Sequence, residues 1–227
     1  MKLSAHQPQY IPWMGYFDKL AKSDIFVFLD NVQYKKREFQ NRNKIRTKES
    51  FLWLTVPVLT KGKYEQLIRD VEIDNTENWR KNHFEAIRHN YGKAPFYSEH
   101  EEFIRNVYSK SWEKLAELNI YIIKYIMDYL ELKVLLYRES ELSIEGFKTE
   151  RLVNICKKLK ADIYLSGLGA RDYIEEEKFS AASIKLEYQG FQHPVYPQVY
   201  GGFETNLSIL DLLFNKGKES ARMFKKR

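Results

Sequence analysis

A chain of 227 residues with 44% hydrophobic and 30% charged side chains can bury a substantial core, which excludes a disordered or low-complexity protein. No apolar run reaches the roughly 18–20 residues of a membrane-spanning helix. No leader-like stretch opens the sequence and one cysteine, Cys156, excludes an internal disulfide, so the expected compartment is the cytoplasm.

In chain order, residues 2–5 read as a short strand running into His6-Gln7-Pro8-Gln9-Tyr10-Ile11-Pro12, where two prolines exclude regular structure and stiffen the backbone. Residues 13–22 have helical spacing, with Phe17, Leu20 and Ala21 on one side. The apolar run 25–29 suits a strand buried on both faces, so the first 30 residues form a βαβ unit with a right-handed crossover. Residues 51–58 and 67–73 read as strands paired antiparallel, carrying a basic segment on their flank. Helices are expected over 78–91, 112–130 and 149–160, the last with Thr149 as N-cap. Short strands are expected at 134–137, 163–165 and 184–188. Ser208 and Asp211 have capping-box spacing, and Gly217 stands where a helix would end. The alternation predicts an α/β fold: a mostly parallel sheet with helices on both faces. One domain over 1–227 is expected, with a helical lobe around 78–130.

The net charge of +6 is concentrated. Residues 35–48 hold seven basic side chains and one acid, and the tail 216–227 holds six and one. A focused basic segment attracts anions such as the phosphates of a nucleotide, a sugar-nucleotide or RNA. Gln40, Asn41, Arg42 and Asn43 add directional hydrogen bonding that a merely solvated loop does not need, which makes Lys35, Asn41, Arg42, Asn43 and Lys44 candidate phosphate or substrate ligands. The tail reads as an ordinary basic terminus.

In open α/β sheets ligands collect at the carboxyl ends of strands, and two segments meet that condition. The first is the loop after the first strand. His6 is a candidate acid, base or phosphate donor, Gln7, Gln9 and Tyr10 are candidate substrate contacts, and Gly15 at the helix start lets backbone N–H groups approach an anion. The second is Ser166-Gly167-Leu168-Gly169, whose small residues admit a ligand, followed by Arg171 and Tyr173 as candidate clamps; it is neither a P-loop nor G-x-G-x-x-G. Asp30, ending the second strand, is a second catalytic candidate that could orient His6, hold a ribose hydroxyl or contact Mg²⁺, although an aspartate there is equally ordinary turn chemistry. Asn31, Gln33 and Gln198 complete the binding candidates. His83, His89 and His100 lack metal-ligand spacing on any helical face, so no metal site is expected.

The runs His6-Gln7-Pro8-Gln9-Tyr10-Ile11-Pro12-Trp13-Met14-Gly15-Tyr16-Phe17, Phe28-Leu29-Asp30-Asn31-Val32-Gln33-Tyr34 and Asn41-Arg42-Asn43-Lys44-Ile45 resemble the opening of WbqC-like proteins. Tyr164-Leu165-Ser166-Gly167, Tyr196-Pro197-Gln198 and Leu207-Ser208-Ile209-Leu210-Asp211 look like that family's later landmarks, so the resemblance spans nearly the whole chain. It implies a place in bacterial O-antigen and surface-polysaccharide biosynthesis, with a glycyl (aminoacyl) transferase role suggested. By layout the start also resembles adenylating nucleotidyltransferase-like (HUP-type) folds such as pantothenate synthetase, which set first-loop histidines on the phosphates of ATP. This chain has His6 alone there, not a His-x-x-His pair.

The leading expectation is therefore a transferase, or an ATP-dependent ligase, adding an aminoacyl or other small acyl group to a sugar or sugar-nucleotide, with ATP or a sugar-nucleotide as cofactor class, Mg²⁺ left open and a phosphorylated small molecule as partner. The alternatives are a nucleic-acid-binding protein using 35–48 and a non-catalytic glycan-binding subunit.

Overall fold

The computed structural model describes residues 1–224; the last three residues of the basic tail lie outside the described residues. The centre of the sheet is built from its most apolar segments. Strand β1 (Lys2–His6) buries its three middle residues and β2 (Ile25–Phe28) buries all four. Side chains alternate along a strand. Phe26 and Phe28 therefore point into one core, while Ile25 and Val27 join Leu3 and Ala5 in another. Helix α1 (Met14–Ala21), the helical run α2 (Trp79–Tyr91), α3 (Tyr97–Ser109) and α4 (Leu115–Tyr129), and a last helix, α7 (Ile209–Lys216), supply the first core. The second is filled from α5 (Lys148–Lys158) and α6 (Glu176–Ala181), through Val153, Ile155, Cys156 and Phe179. Helices thus cover both faces. Fully burying a phenylalanine of this kind is worth about 1.5–3 kcal/mol.

Three further strands complete the sheet, one beside β2 and two beside β1. With β5 (Leu135–Arg138), β6 (Ile163–Ser166) and β7 (Lys185–Tyr188), the order is β5-β2-β1-β6-β7, and every pairing is parallel. The chain steps outward from β1 to β2 to β5, then crosses back to place β6 on the other side of β1. The direction of winding reverses between β1 and β6, which makes the gap beyond His6 and Ser166 the topological switch point. This order is compatible with the HUP-type layout.

Three local expectations are corrected. The strand at 51–58 meets 67–73 at a single antiparallel bridge, Val58 opposite Ile73, and forms no ladder with it among the described residues. Its partner is the basic segment itself: β3 (Arg42–Arg46) and β4 (Phe51–Thr55) form an antiparallel ribbon with Lys44 opposite Trp53. The alternation explains this, since Asn43 and Ile45 turn inward while Arg42 and Lys44 turn out. Residues Ile68–Asp70 form a 3-10 turn flanked by isolated bridges, because Ile68 and Val71 pack inward without a continuous ladder. Thr149 is not an N-cap: it lies inside α5, and its Oγ1 accepts from the Glu175 N–H at 3.1 Å, tying α5 to the segment before α6. Ser208 does cap α7, accepting from Leu210 N–H at 3.3 Å, and Gly217 ends that helix at φ 53°, where a Cβ would strike the Phe96 ring. Helices α3 and α6 had no counterpart in the sequence pattern.

Candidate functional site

The loop after β1 is held in an unusual shape from outside. Ile11 has φ 37°, a left-handed conformation that costs a β-branched residue about 1–3 kcal/mol. Two fully buried amides hold it. Asn43 Nδ2 donates to the carbonyls of Ile11 (2.9 Å) and Tyr10 (3.3 Å), and Asn119 Nδ2 donates to those of Pro8 (3.0 Å) and Gln40 (2.8 Å). The Ile209 N–H reaches the Pro12 carbonyl and the Ser208 N–H that of Lys44, so α7 closes the same bracket. Next comes Trp13, whose indole lies so close over Gly15 that a Cβ there would sit 2.3 Å from the ring. Only glycine admits that contact.

Behind this loop, at the switch point, is a cavity of about 280 Å³. His6 from β1, and Gly15, Tyr16 and Lys19 from α1, form one wall; the turn Gly167-Leu168-Gly169 after β6 and Gln189 with Phe191 after β7 form the other, and Trp13 edges the mouth. A larger groove of about 960 Å³ runs along α1 past Lys2 and Asp24, near the amino ends of the strands. Size favours that groove, but chemistry in open α/β sheets sits at the carboxyl ends, where the smaller cavity lies.

The polar geometry of the cavity is specific. His6 Nδ1 lies 3.1 Å from the Gln7 carbonyl, which fixes the proton on Nδ1 and leaves Nε2 with a lone pair. The ring stands edge-on to Tyr16, whose hydroxyl donates to the same carbonyl at 3.2 Å. Burial, then the charge of Lys19, push the imidazole down to about 3, so it is neutral at ordinary pH. Gln189 Nε2 donates to the Gly15 carbonyl (2.8 Å) and to Asp18 Oδ2 (2.6 Å), pinning α1 to the end of β7. Lys19 is 6% exposed, and burial lowers its ammonium to about 8. Among the described residues its Nζ makes no hydrogen bond or ion pair. A Cβ at Gly167 would come within 3.3 Å of that nitrogen, so the glycine leaves room for it.

A model of the WbqC-like protein family matches residues 7–223. The chain belongs to that family. The match takes in every cavity residue except His6, which stands one position before it. Among curated proteins, this WbqC-like chain is 40% identical over 223 residues to the uncharacterized protein Rv1507c of Mycobacterium tuberculosis (strain ATCC 25618 / H37Rv), covering 96% of this chain and 95% of that protein. No solved structure matches.

Of the candidates from sequence, the WbqC-like structure brings His6, Gly15 and Gly167 together in the cavity. Gln7 contributes its carbonyl, and Ser166 is buried beside it, its hydroxyl donating to the Gly167 carbonyl at 3.2 Å. The others lie elsewhere. Asp30 is fully buried and accepts from Ser140 N–H (2.9 Å) and Oγ (2.8 Å), fastening the turn after β5. The Asn31 carbonyl accepts from Arg151 at 2.8 Å, and Gln33 donates to the Tyr64 carbonyl at 3.1 Å. Tyr10 is buried against His83 (2.8 Å) and Tyr108, and Gln9 is buried nearby. Asn41 and Asn43 spend their amides on backbone carbonyls. Arg42 stacks on Trp53 at 4.3 Å and Lys44 over Phe51 at 4.3 Å, on the outer face of the ribbon, with Lys35 exposed. None of these basic residues lines the cavity, so the convergence of His6 with Arg42 is not found there. Arg171 lies over the Tyr188 ring at 5.7 Å and Tyr173 is exposed. Gln198 donates to the buried Asp211 carboxylate at 2.8 Å, alongside Tyr196 and Tyr91.

Lys19, Tyr16, Gln189 and Phe191 were not singled out by sequence. A lysine in a short amphipathic helix reads as a solvent-facing residue. The available signal was its position one turn after Gly15, on the face of the first helix that a βαβ unit turns toward the switch point. Among the described residues no helix is long and apolar enough to cross a membrane, and no three His, Cys, Asp or Glu side chains form a group that could hold a metal ion.

Proposed function

We propose that this WbqC-like protein is a transferase that moves an aminoacyl (glycyl) or other small acyl group onto a sugar or sugar-nucleotide in bacterial surface-polysaccharide (O-antigen) biosynthesis. The observation that supports it is a neutral imidazole, fixed in one tautomer by the Gln7 carbonyl, with Nε2 in a switch-point cavity of a size suited to a compact group. In this reading the acceptor's amine or hydroxyl attacks the carbonyl of an activated acyl group, an acyl-adenylate or a thioester. His6 Nε2 takes the proton that the nucleophile loses and returns it to the leaving group. Atoms balance as acyl exchange between leaving group and acceptor. ATP or a sugar-nucleotide enters as substrate. The test is turnover with an amino acid, ATP and an amino-sugar nucleotide at millimolar concentration, followed by amino-acid-dependent exchange of pyrophosphate into ATP and by mass spectrometry of the sugar. Acylated sugar formed by the wild type and lost in a folded His6→Ala variant supports the reading; no product and no exchange with any amino acid counts against it.

A second reading rests on a different surface. The outer face of the β3–β4 ribbon sets Arg42 and Lys44 among Phe51, Trp53 and the exposed Phe39, a pattern suited to stacking and phosphate contacts with single-stranded nucleic acid. It predicts affinity that falls steeply with salt and is indifferent to His6→Ala.

A further inference from the structure

We propose that Lys19 is the oxyanion-binding residue of the switch-point cavity, holding the phosphate or carboxylate of the substrate beside His6. The inference rests on the cavity being the substrate site, and not on acyl transfer.

Lys19 is 6% exposed as a residue and its ammonium has no protein partner among the described residues, which is costly because burial strips the cation of much of its hydration. Such a group persists where a ligand completes it. The surroundings admit one. Gly167 carries no Cβ that would stand 3.3 Å from the nitrogen, and among the described residues the titratable groups lining the cavity with it are His6 and Tyr16. Both are neutral at ordinary pH, His6 by burial and the Lys19 charge and Tyr16 by burial. The segments after β6 and β7 bring Gly167, Leu168, Gly169, Gln189 and Phe191, none of them titratable. Asp18, the neighbouring carboxylate on α1, is engaged by Lys22 (2.9 Å) and Gln189 (2.6 Å). The positive charge is therefore uncompensated, and the chemistry it selects is a compact oxyanion.

The pairing with His6 gives this a mechanistic consequence. The Lys19 charge is one of the two forces that hold the imidazole neutral. An anion seated on Lys19 cancels that repulsion and raises the basicity of His6 when substrate is present. The cavity thus couples occupancy to base strength.

The test uses the full-length protein and follows the His6 imidazole nitrogens and the Gly167 amide by NMR during titration with inorganic phosphate and, separately, with acetate. The expected result is saturable shifts at both positions, an upward move of the His6 pKa on anion addition, and affinity weakened at least about tenfold in Lys19→Met and partly kept in Lys19→Arg. The tighter of the two anions identifies the substrate group. Equal binding by Lys19→Met, no binding of either anion, or shifts confined to Arg42 and Lys44 would overturn the assignment. Anion binding without acyl transfer removes the transferase reading alone, while turnover that survives in Lys19→Met removes this one alone.

Discussion

Asn43 Nδ2 donates a 2.9 Å hydrogen bond to the Ile11 carbonyl, so a side chain on the ribbon holds the strained residue of the loop that frames the cavity. Asn43 is fully buried, and its replacement by alanine leaves the Ile11 and Tyr10 carbonyls without that donor. Asn43→Ala should lose about 1–3 kcal/mol of stability in urea and shift the His6 imidazole resonances. Unchanged stability together with unmoved His6 signals would show that the loop holds its own shape.

Replacing Lys19 by methionine should stabilise the protein at neutral pH, by about 1–4 kcal/mol, because it removes a buried charge with no protein partner and keeps the volume. A lysine with a purely structural role gives the opposite sign. Chemical denaturation of the two proteins in anion-free buffer separates them.

Anion affinity should be flat below pH 8 and fall as pH rises beyond it, since the free Lys19 ammonium releases its proton at about 8 and the bound form retains it. Calorimetric titration with acetate from about pH 6 to 10, where that carboxylate keeps a constant charge, measures the slope. An affinity unaffected up to pH 10 sinks the prediction.

Acid should unfold this protein through its histidines. His6 is held at about 3, and His83 and His100 at about 4, all below the ordinary value near 6.5. Between those limits the unfolded chain binds protons that the native state refuses, so stability falls as pH drops below about 6.5 and continues to fall toward 4. Urea midpoints from pH 7 to 4 should show this decline, with a shallower slope in His6→Gln.

Gly167→Ala and Gly169→Ala make a matched pair. Gly167 has φ −73°, which alanine adopts without strain, but its new Cβ would lie 3.3 Å from Lys19 Nζ. Nothing lies within 4 Å of a Cβ at Gly169. Phosphate affinity should weaken several-fold in the first and hold in the second, with both proteins stable to within about 1 kcal/mol of wild type. Equal effects would mean that the approach to Lys19 does not matter.

The frame of the fold was legible because its strands are chemically plain. Ile25-Phe26-Val27-Phe28 has no polar position, so a parallel, doubly covered strand is the arrangement that buries it, and the βαβ unit follows. Helix α3 was harder. Its inward face is Tyr97, His100, Ile104, Val107 and Tyr108, so the stripe is written partly in polar-tipped rings that do not register as apolar. The same difficulty affected the site. His6 and Gly167 announced themselves by following strands, but charge misdirects: the most basic segment spends Asn41 and Asn43 on backbone carbonyls and turns Arg42 and Lys44 onto aromatic faces, whereas the isolated Lys19 enters the cavity. Sequence density of charge does not report which cation is left without a partner.

The bonds from Ser208 and Ile209 back to Lys44 and Pro12 carry a consequence for biosynthesis. The bracket around the first loop is finished by Ser208 and Ile209, so a nascent polypeptide emerging from the ribosome cannot complete it until the start of α7 has been made. Competence arrives late and all at once, and a fragment ending before α7 would present the loop unbraced.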